Sequence, residues 1–205
     1  MIRALLLSLV VAVPAFAAPA FADGPPVDPD WPCIQRKQPH LSLAQVWGGP
    51  VPDEAAQALA TTPEVASLAQ VLALRRTPVE DAEARMTAFA TEHGADPEAV
   101  VALFSATFDH INGARDRVIA GIARYARKQE ALQGQIEELR HRMHALEEAE
   151  PKDFDAIDDL EAQLDWATRI FQDRQQSLTY VCETPVILEQ RAFALGRTVA
   201  ERLPQ

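Results

Sequence analysis

Two cysteines, Cys33 and Cys182, have the most definite chemistry in this sequence. They are far apart in the chain and form no CxxC motif, and two thiolates alone make a poor metal site. In an oxidising compartment an even pair of cysteines most simply forms one disulfide bond. The sequence therefore predicts a disulfide between Cys33 and Cys182 that fastens an early segment to a late one.

A histidine pair near the middle of the chain has a spacing that a divalent metal can use. His141 and His144 are three residues apart, and Glu148 follows His144 by one helical turn. Such a site would be open to solvent, where histidines on a charged helix are common. The acidic stretch from Glu147 to Asp159 lacks the alternating ligands and the glycine of a calcium loop. We assign no metal ligand and keep metal handling as a lesser alternative.

Motifs of catalysis and cofactor binding are missing from the sequence. It contains no glycine-rich phosphate loop, GxSxG elbow, HExxH motif or paired catalytic carboxylate pattern. The formal net charge of −11 opposes binding to nucleic acid or to anionic lipid. We therefore expect no enzymatic activity, no cofactor and no nucleic-acid partner.

The first 22 residues have the pattern of a secretory signal peptide. Arg3 provides the positive start, residues 4–17 are apolar, and residues 20–22 (Ala-Phe-Ala) form a cleavage site. Residues 15–17 offer a second cleavage site of the same composition. The apolar run contains Pro14 and is shorter than the roughly 20 residues that a membrane-spanning helix needs. We expect cleavage, a periplasmic or secreted location, and no membrane attachment afterwards.

Proline dominates the next segment. Residues 23–52 hold seven of the 15 prolines, which predicts an extended arm with one short helical turn over residues 41–47. The segment also contains Trp31, Ile34 and Trp47, which makes it too apolar for a free linker. We expect it to lie on another part of the protein.

Residues 53–95 predict several short helices. Thr62-Pro63 and Thr77-Pro78 each combine an N-cap residue with proline at the first helical position. Gly94 is a stop signal, and Asp96-Pro97 then opens a long helix.

Residues 96–203 carry two heptad seams, separated by a charged turn near residues 147–155. Apolar residues alternate steps of four and three without a slip in both seams, with few polar interruptions. The members of the first seam are Phe104, Phe108, Ile111, Arg115, Val118, Ile122, Tyr125, Gln129, Leu132, Ile136, Leu139, Met143 and Leu146, and those of the second are Ile157, Leu160, Leu164, Ala167, Phe171, Arg174, Leu178 and Val181. Two such seams predict a long antiparallel coiled-coil hairpin.

The two seams also predict their register. In an antiparallel hairpin the residue numbers of facing positions have a constant sum, and the seams satisfy this condition from the turn back to Ile122. Gln129 then faces Arg174, and a polar layer of this kind sets the register at some cost in stability. The rhythm continues past Pro185, which predicts a kink or a short break near residues 182–185.

Apolar width separates the hairpin into a base and a distal arm. Off-seam apolar residues widen the face near the base only, namely Val100, Val101, Leu103, Ile119, Val186, Ile187, Phe193 and Leu203. We therefore expect an all-α fold in which the N-terminal helices form a small cap on the hairpin base. The distal arm, residues 127–176, should protrude.

Three apolar residues of the distal arm, Phe154, Trp166 and Ile170, are candidates for a partner surface, with self-association as the alternative. The sequence favours an exported, non-enzymatic coiled-coil protein that acts as an interaction or scaffold module for another envelope or secreted protein. A periplasmic holdase chaperone that clamps unfolded clients is the main alternative, and a metal-handling accessory protein is a lesser one.

Overall fold

A computed structural model of the chain describes residues 28–203, and the predicted signal peptide lies outside them. The described range forms six helices: α1 (Leu43–Val46), α2 (Glu54–Ala60), α3 (Pro63–Ala73), α4 (Val79–Glu92), α5 (Pro97–Glu148) and α6 (Phe154–Ala200). Every regular element of this range is a helix, so the prediction of an all-α fold is confirmed.

Local signals explain where the helices begin and end. Asp53 caps α2, and its carboxylate accepts a hydrogen bond of 2.9 Å from the amide of Ala56. Gly94 adopts a φ of 63° just after α4, a conformation that glycine reaches without the steric penalty of a Cβ atom. Thr62 occupies the N-cap of α3 as predicted, but its hydroxyl donates to the carbonyl of Leu59 instead of accepting from the helix.

The two long helices pack against each other as an antiparallel hairpin, as predicted. α5 has 52 residues and is therefore roughly 78 Å long. The turn between the helices is short, from residue 149 to residue 153. α6 continues through Pro185 as one helix, so there is no break at this proline. Because Pro185 has no amide hydrogen, the helix lacks one backbone hydrogen bond there.

The seam of α6 shifts by one residue before Pro185. Val181, which the heptad rhythm assigned to the seam, is 39% exposed, whereas Cys182 is buried. From Leu178 the helix turns inward at Cys182, Pro185 and Leu188, in steps of four, three and three. The prediction that the seam includes Val181 is therefore wrong: Val181 is exposed, and the neighbouring Cys182 is buried where it pairs with Cys33 of the N-terminal segment.

The hydrophobic core lies at the base of the hairpin. α2 and α3 pack on α5, while α4 and α1 pack mainly on α6. The ring of Trp47 contacts that of Phe104, with 4.8 Å between centroids, and Ile111 and Leu195 are fully buried beside them. The short helices thus cover the base of the hairpin.

Two residues that were expected to widen the core are exposed instead. Ile187 is 40% exposed and Phe193 is 53% exposed. Each lies next in sequence to a buried residue, Leu188 or Ala192, and one residue turns a helix by about 100°. This rotation carries Ile187 and Phe193 to opposite edges of the buried face, beyond the reach of the covering helices.

The proline-rich segment crosses the hairpin as an extended strap, which we define as residues 28–41. The sulfur atoms of Cys33 and Cys182 lie at disulfide distance, with the Cα atoms 5.5 Å apart. Asp30 forms an ion pair of 2.7 Å with Arg127 of α5, and Arg115 donates to a carbonyl of the strap. The strap is therefore attached to both long helices.

Replacing Gly196 by alanine tests how closely α6 approaches the cap. A Cβ atom at Gly196 would lie 2.5 Å from the carbonyl oxygen of Val46 and 2.9 Å from the ring of Phe104. Gly196→Ala should therefore lower the free energy of unfolding by about 1–3 kcal/mol in urea denaturation, because α1 must shift. Gly134→Ala is the control: its Cβ meets nothing within 4 Å, so it should stabilise α5 by about 0.5–1 kcal/mol. Equal effects of the two changes would contradict the close packing at Gly196.

Candidate interaction surface

The distal arm is held together by its own seam. Between residues 127 and 176 the buried side chains are Ile136, Leu160 and Ala167, and the other seam residues are half-buried. The core cluster at the base does not extend into this region. Beyond the strap, which reaches Arg127 and Gln175, the outer faces of the two helices are therefore exposed to solvent along the distal arm.

The structure separates the three residues that the sequence proposed as a partner surface. Trp166 is 64% exposed, and Ile170 lies one turn further along the same face of α6, half-buried. Phe154 is 69% exposed, but it is the first residue of α6 and lies about 120° around the helix from Trp166. Trp166 and Ile170 thus share a surface, whereas Phe154 stands apart at the tip.

Two further exposed residues extend this surface toward the base. Tyr180 is 76% exposed and Ile187 is 40% exposed, and they follow Trp166 by 14 and 21 residues. Residues seven apart return to nearly the same face of a helix. Trp166, Ile170, Tyr180 and Ile187 therefore form one outer stripe, roughly 32 Å long at 1.5 Å per residue. The repeat of seven was visible in the sequence, but only the exposure distinguishes it from a buried seam.

Acidic residues surround the outer stripe. From Phe154 to Glu189, α6 contains eight Asp or Glu residues and two Arg residues. Asp165, Asp173 and Glu183 are exposed on the outer face. Arg169 is the exposed basic residue of this stretch, whereas Arg174 is half-buried in the seam. The stripe is therefore an apolar surface within a negative field.

The polar layer of the seam contacts backbone rather than forming a side-chain pair. Nε2 of Gln129 donates to the carbonyl of Phe171 at 3.2 Å, and its buried Oε1 has no partner within the described chain. The hydroxyl of Tyr125 donates to the carbonyl of Arg174 at 2.6 Å. Burial raises the pKa of Tyr125, and the charge of Arg174 opposes this shift. Gln129 therefore contacts α6 three residues from its predicted partner Arg174, and Arg174 contacts α5 four residues from Gln129.

The histidine pair remains at the surface. His141 and His144 are exposed, and Nε2 of His144 lies 3.5 Å from a carboxylate oxygen of Glu148. In the part of the chain that the structure describes, no group of three or more His, Cys, Asp or Glu residues is arranged to hold a metal ion.

The comparisons with known proteins find no relative. No family model matches the chain, and neither the curated proteins nor the solved structures contain a match. Within residues 28–203, none of the helices combines the length and the apolar composition that a membrane crossing requires. The function is therefore inferred from the surface of the chain itself.

Replacing Gln129 by leucine tests the polar layer. The change removes a buried oxygen that has no partner among the described residues and should raise the free energy of unfolding by about 1 kcal/mol. Urea denaturation measures the effect, with Gln133→Leu as the control because Gln133 is exposed and its replacement should change stability by less than about 0.5 kcal/mol. A loss of stability in Gln129→Leu would mean that the hydrogen bond to Phe171 outweighs the unpaired oxygen.

Proposed function

We propose that this chain is an exported, non-enzymatic coiled-coil protein, periplasmic or secreted, that serves as an interaction or scaffold module. Its partner is another envelope or secreted protein. The base and the strap hold the hairpin, and the outer stripe of α6 is the docking surface. The observation that carries this proposal is the exposure of Trp166 and Tyr180 on one face of a helix whose inner face is already packed.

Aromatic residues support a binding role for this face. Trp and Tyr are enriched among residues that dominate binding energy, because each buries a large area with few rotatable bonds. The seven-residue repeat of Trp166, Tyr180 and Ile187, interrupted once by Asp173, fits a helix laid along it, as in other helix-to-helix recognition. The roughly 32 Å length of the stripe corresponds to a partner helix of about 21 residues.

Charge supports a basic partner over a second copy of this chain. A symmetric dimer through the outer stripe would bring the acidic face of α6 against itself, and like charges at an interface disfavour pairing. A partner helix with lysine or arginine beside its apolar row would instead meet opposite charge, which speeds association and selects the partner. We therefore propose a basic amphipathic helix as the docked element.

Export is supported by two features of different kinds. The sequence of residues 1–22 has the pattern of a signal peptide, and Cys33 and Cys182 lie at disulfide distance. Disulfides persist in oxidising compartments such as the bacterial periplasm and the exterior of the cell.

Substitutions in the outer stripe test the docking surface. A photo-crosslinking amino acid at Gln176, which is exposed beside the stripe, should capture one discrete partner in the exporting cell. The double change Trp166→Ala and Tyr180→Ala should reduce that capture at least tenfold, because each residue provides a large apolar contact. The matched control is Val51→Ala with Phe193→Ala, which removes two exposed apolar side chains away from the stripe. Equal capture by both double variants would contradict docking on α6.

The mass of the exported protein tests the proposed location. Intact mass spectrometry of protein recovered from the periplasm or the medium should show a chain that begins at Asp23, with the mass of two hydrogens missing for the disulfide. A start at residue 18 corresponds to the second cleavage site. Recovery of the uncleaved chain, with both thiols free, only from the cytoplasm would refute export.

A further inference from the structure

Arg191 is a buried cation at the base of the hairpin. It is 5% exposed, its Nε donates to the carbonyl of Leu72 at 2.7 Å, and its Nη1 donates to the carbonyl of Thr77 at 2.8 Å. Leu72 lies in the last turn of α3, where unpaired carbonyls favour a positive charge. Nη2 is also buried and has no hydrogen-bond partner among the described residues.

No carboxylate among the described residues forms an ion pair with this guanidinium. Burial of the guanidinium lowers the pKa of Arg191, as expected for a cation that has lost water without gaining an anion. An unpaired buried charge is costly, and a bound anion would offset that cost.

A cleft of about 390 Å³ lies at this position, between α6 and the turn that joins α3 to α4. Arg191 lines it together with a second cation, Arg75, and with the amide side chain of Gln190. Arg75 has one neutral partner, the hydroxyl of Thr184 at 3.4 Å. Ile187 provides part of an apolar wall. The cleft thus combines two arginines with an apolar surface.

The start of α4 adds a third source of positive potential. α4 has 14 residues, and its N-cap is Pro78, so the helix begins one residue later than the sequence predicted. Proline has no side-chain acceptor, and the first amides of α4 therefore have no side-chain cap. Pro78 and Val79 line the cleft, whereas the exposed acids Glu80 and Asp81 of the first turn do not. Helix N-termini of this kind attract anions.

We propose that this cleft binds a small oxyanion, either a carboxylate or a phosphate, between Arg75, Arg191 and the amides that open α4. Arg75 can direct paired N–H donors at such a group, and Arg191 can add its Nη2, the one nitrogen of this guanidinium that has no partner among the described residues. Arg191 contacts the anion from the buried wall of the cleft, and Arg75 contacts it from the wall that faces solvent. The apolar wall suits an anion carried on a small organic body. The site shares Ile187 with the outer stripe of α6, but the two arginines and the amides that would hold the anion do not belong to that stripe.

The test compares anions at constant ionic strength on the full exported protein with its cysteines oxidised. Inorganic phosphate, sulfate and butyrate are each titrated against a chloride background, and the readouts are Tm and the backbone amide NMR signals of Val79 and Glu80. At least one oxyanion should raise Tm in a saturable manner, since a ligand that binds only the folded state stabilises it. The same anion should shift both amide signals.

Arg75→Gln supplies the specific variant, because Arg75 is exposed and its loss should leave the fold intact. Its affinity for the anion should fall about tenfold, as expected when one charge-assisted contact is removed. Arg76→Gln is the matched control: it is exposed, adjacent and outside the cleft, so its affinity should be unchanged. Binding of butyrate alone would assign a carboxylate, and binding of phosphate and sulfate alone would assign a tetrahedral anion. Responses equal to those in chloride, or equal losses in the two variants, would overturn the proposal and leave Arg191 as a cap for α3.

Discussion

The packing of α5 against α6 is the interaction on which every other part of the structure depends. The short helices share one core with the hairpin and bury their apolar faces mainly on the base of this pair. Most of the buried side chains lie at this base, whereas the buried side chains of the distal arm are Ile136, Leu160 and Ala167. Because local stability follows the number of buried apolar contacts, the tip of the arm should open at lower free energy than the base. The base of the hairpin should therefore be more stable than the distal arm, and the outer stripe of α6 spans both.

Two buried arginines show how the base tolerates polar groups. Arg115, a polar member of the first seam, is 1% exposed and donates to Glu189 and to a strap carbonyl. Removing one partner of such a pair is costly, so Arg115 connects α5, α6 and the strap as one unit. Arg191 instead satisfies backbone carbonyls of α3 and the turn after it and retains one unpaired nitrogen. Arg115 also has a buried nitrogen, Nη1, without a hydrogen-bond partner among the described residues, but its charge is paired with Glu189. Arg191 has no ion pair among those residues, and this difference is what points to a ligand.

Local signals and long repeats made much of the fold predictable, while contacts between distant segments did not. Proline after threonine or aspartate marks helix starts because capping and a fixed φ act within one turn. The heptad seams predicted the hairpin because a shift of one residue turns a helix by about 100° and would move the apolar seam away from the facing helix. Trp166 and Ile170 were identified, but Tyr180 and Ile187 were missed, since nothing local shows that the covering helices stop short of them. The environment of Arg191 depends on carbonyls more than 110 residues away, and no sequence period reports such a contact.

The pairing of Cys33 in the strap with Cys182 in α6 limits the order in which the protein can mature. Cys33 and Cys182 are separated by 149 residues, and the loop between them contains five complete helices and most of the sixth. A chain is made from its N-terminus, so the thiol of Cys33 emerges long before its partner exists. A disulfide between Cys33 and Cys182 can therefore form only after nearly the whole polypeptide has been synthesised. Oxidation of this cysteine pair must therefore follow the synthesis of α5 and of most of α6, and it cannot be the first step in the maturation of the chain.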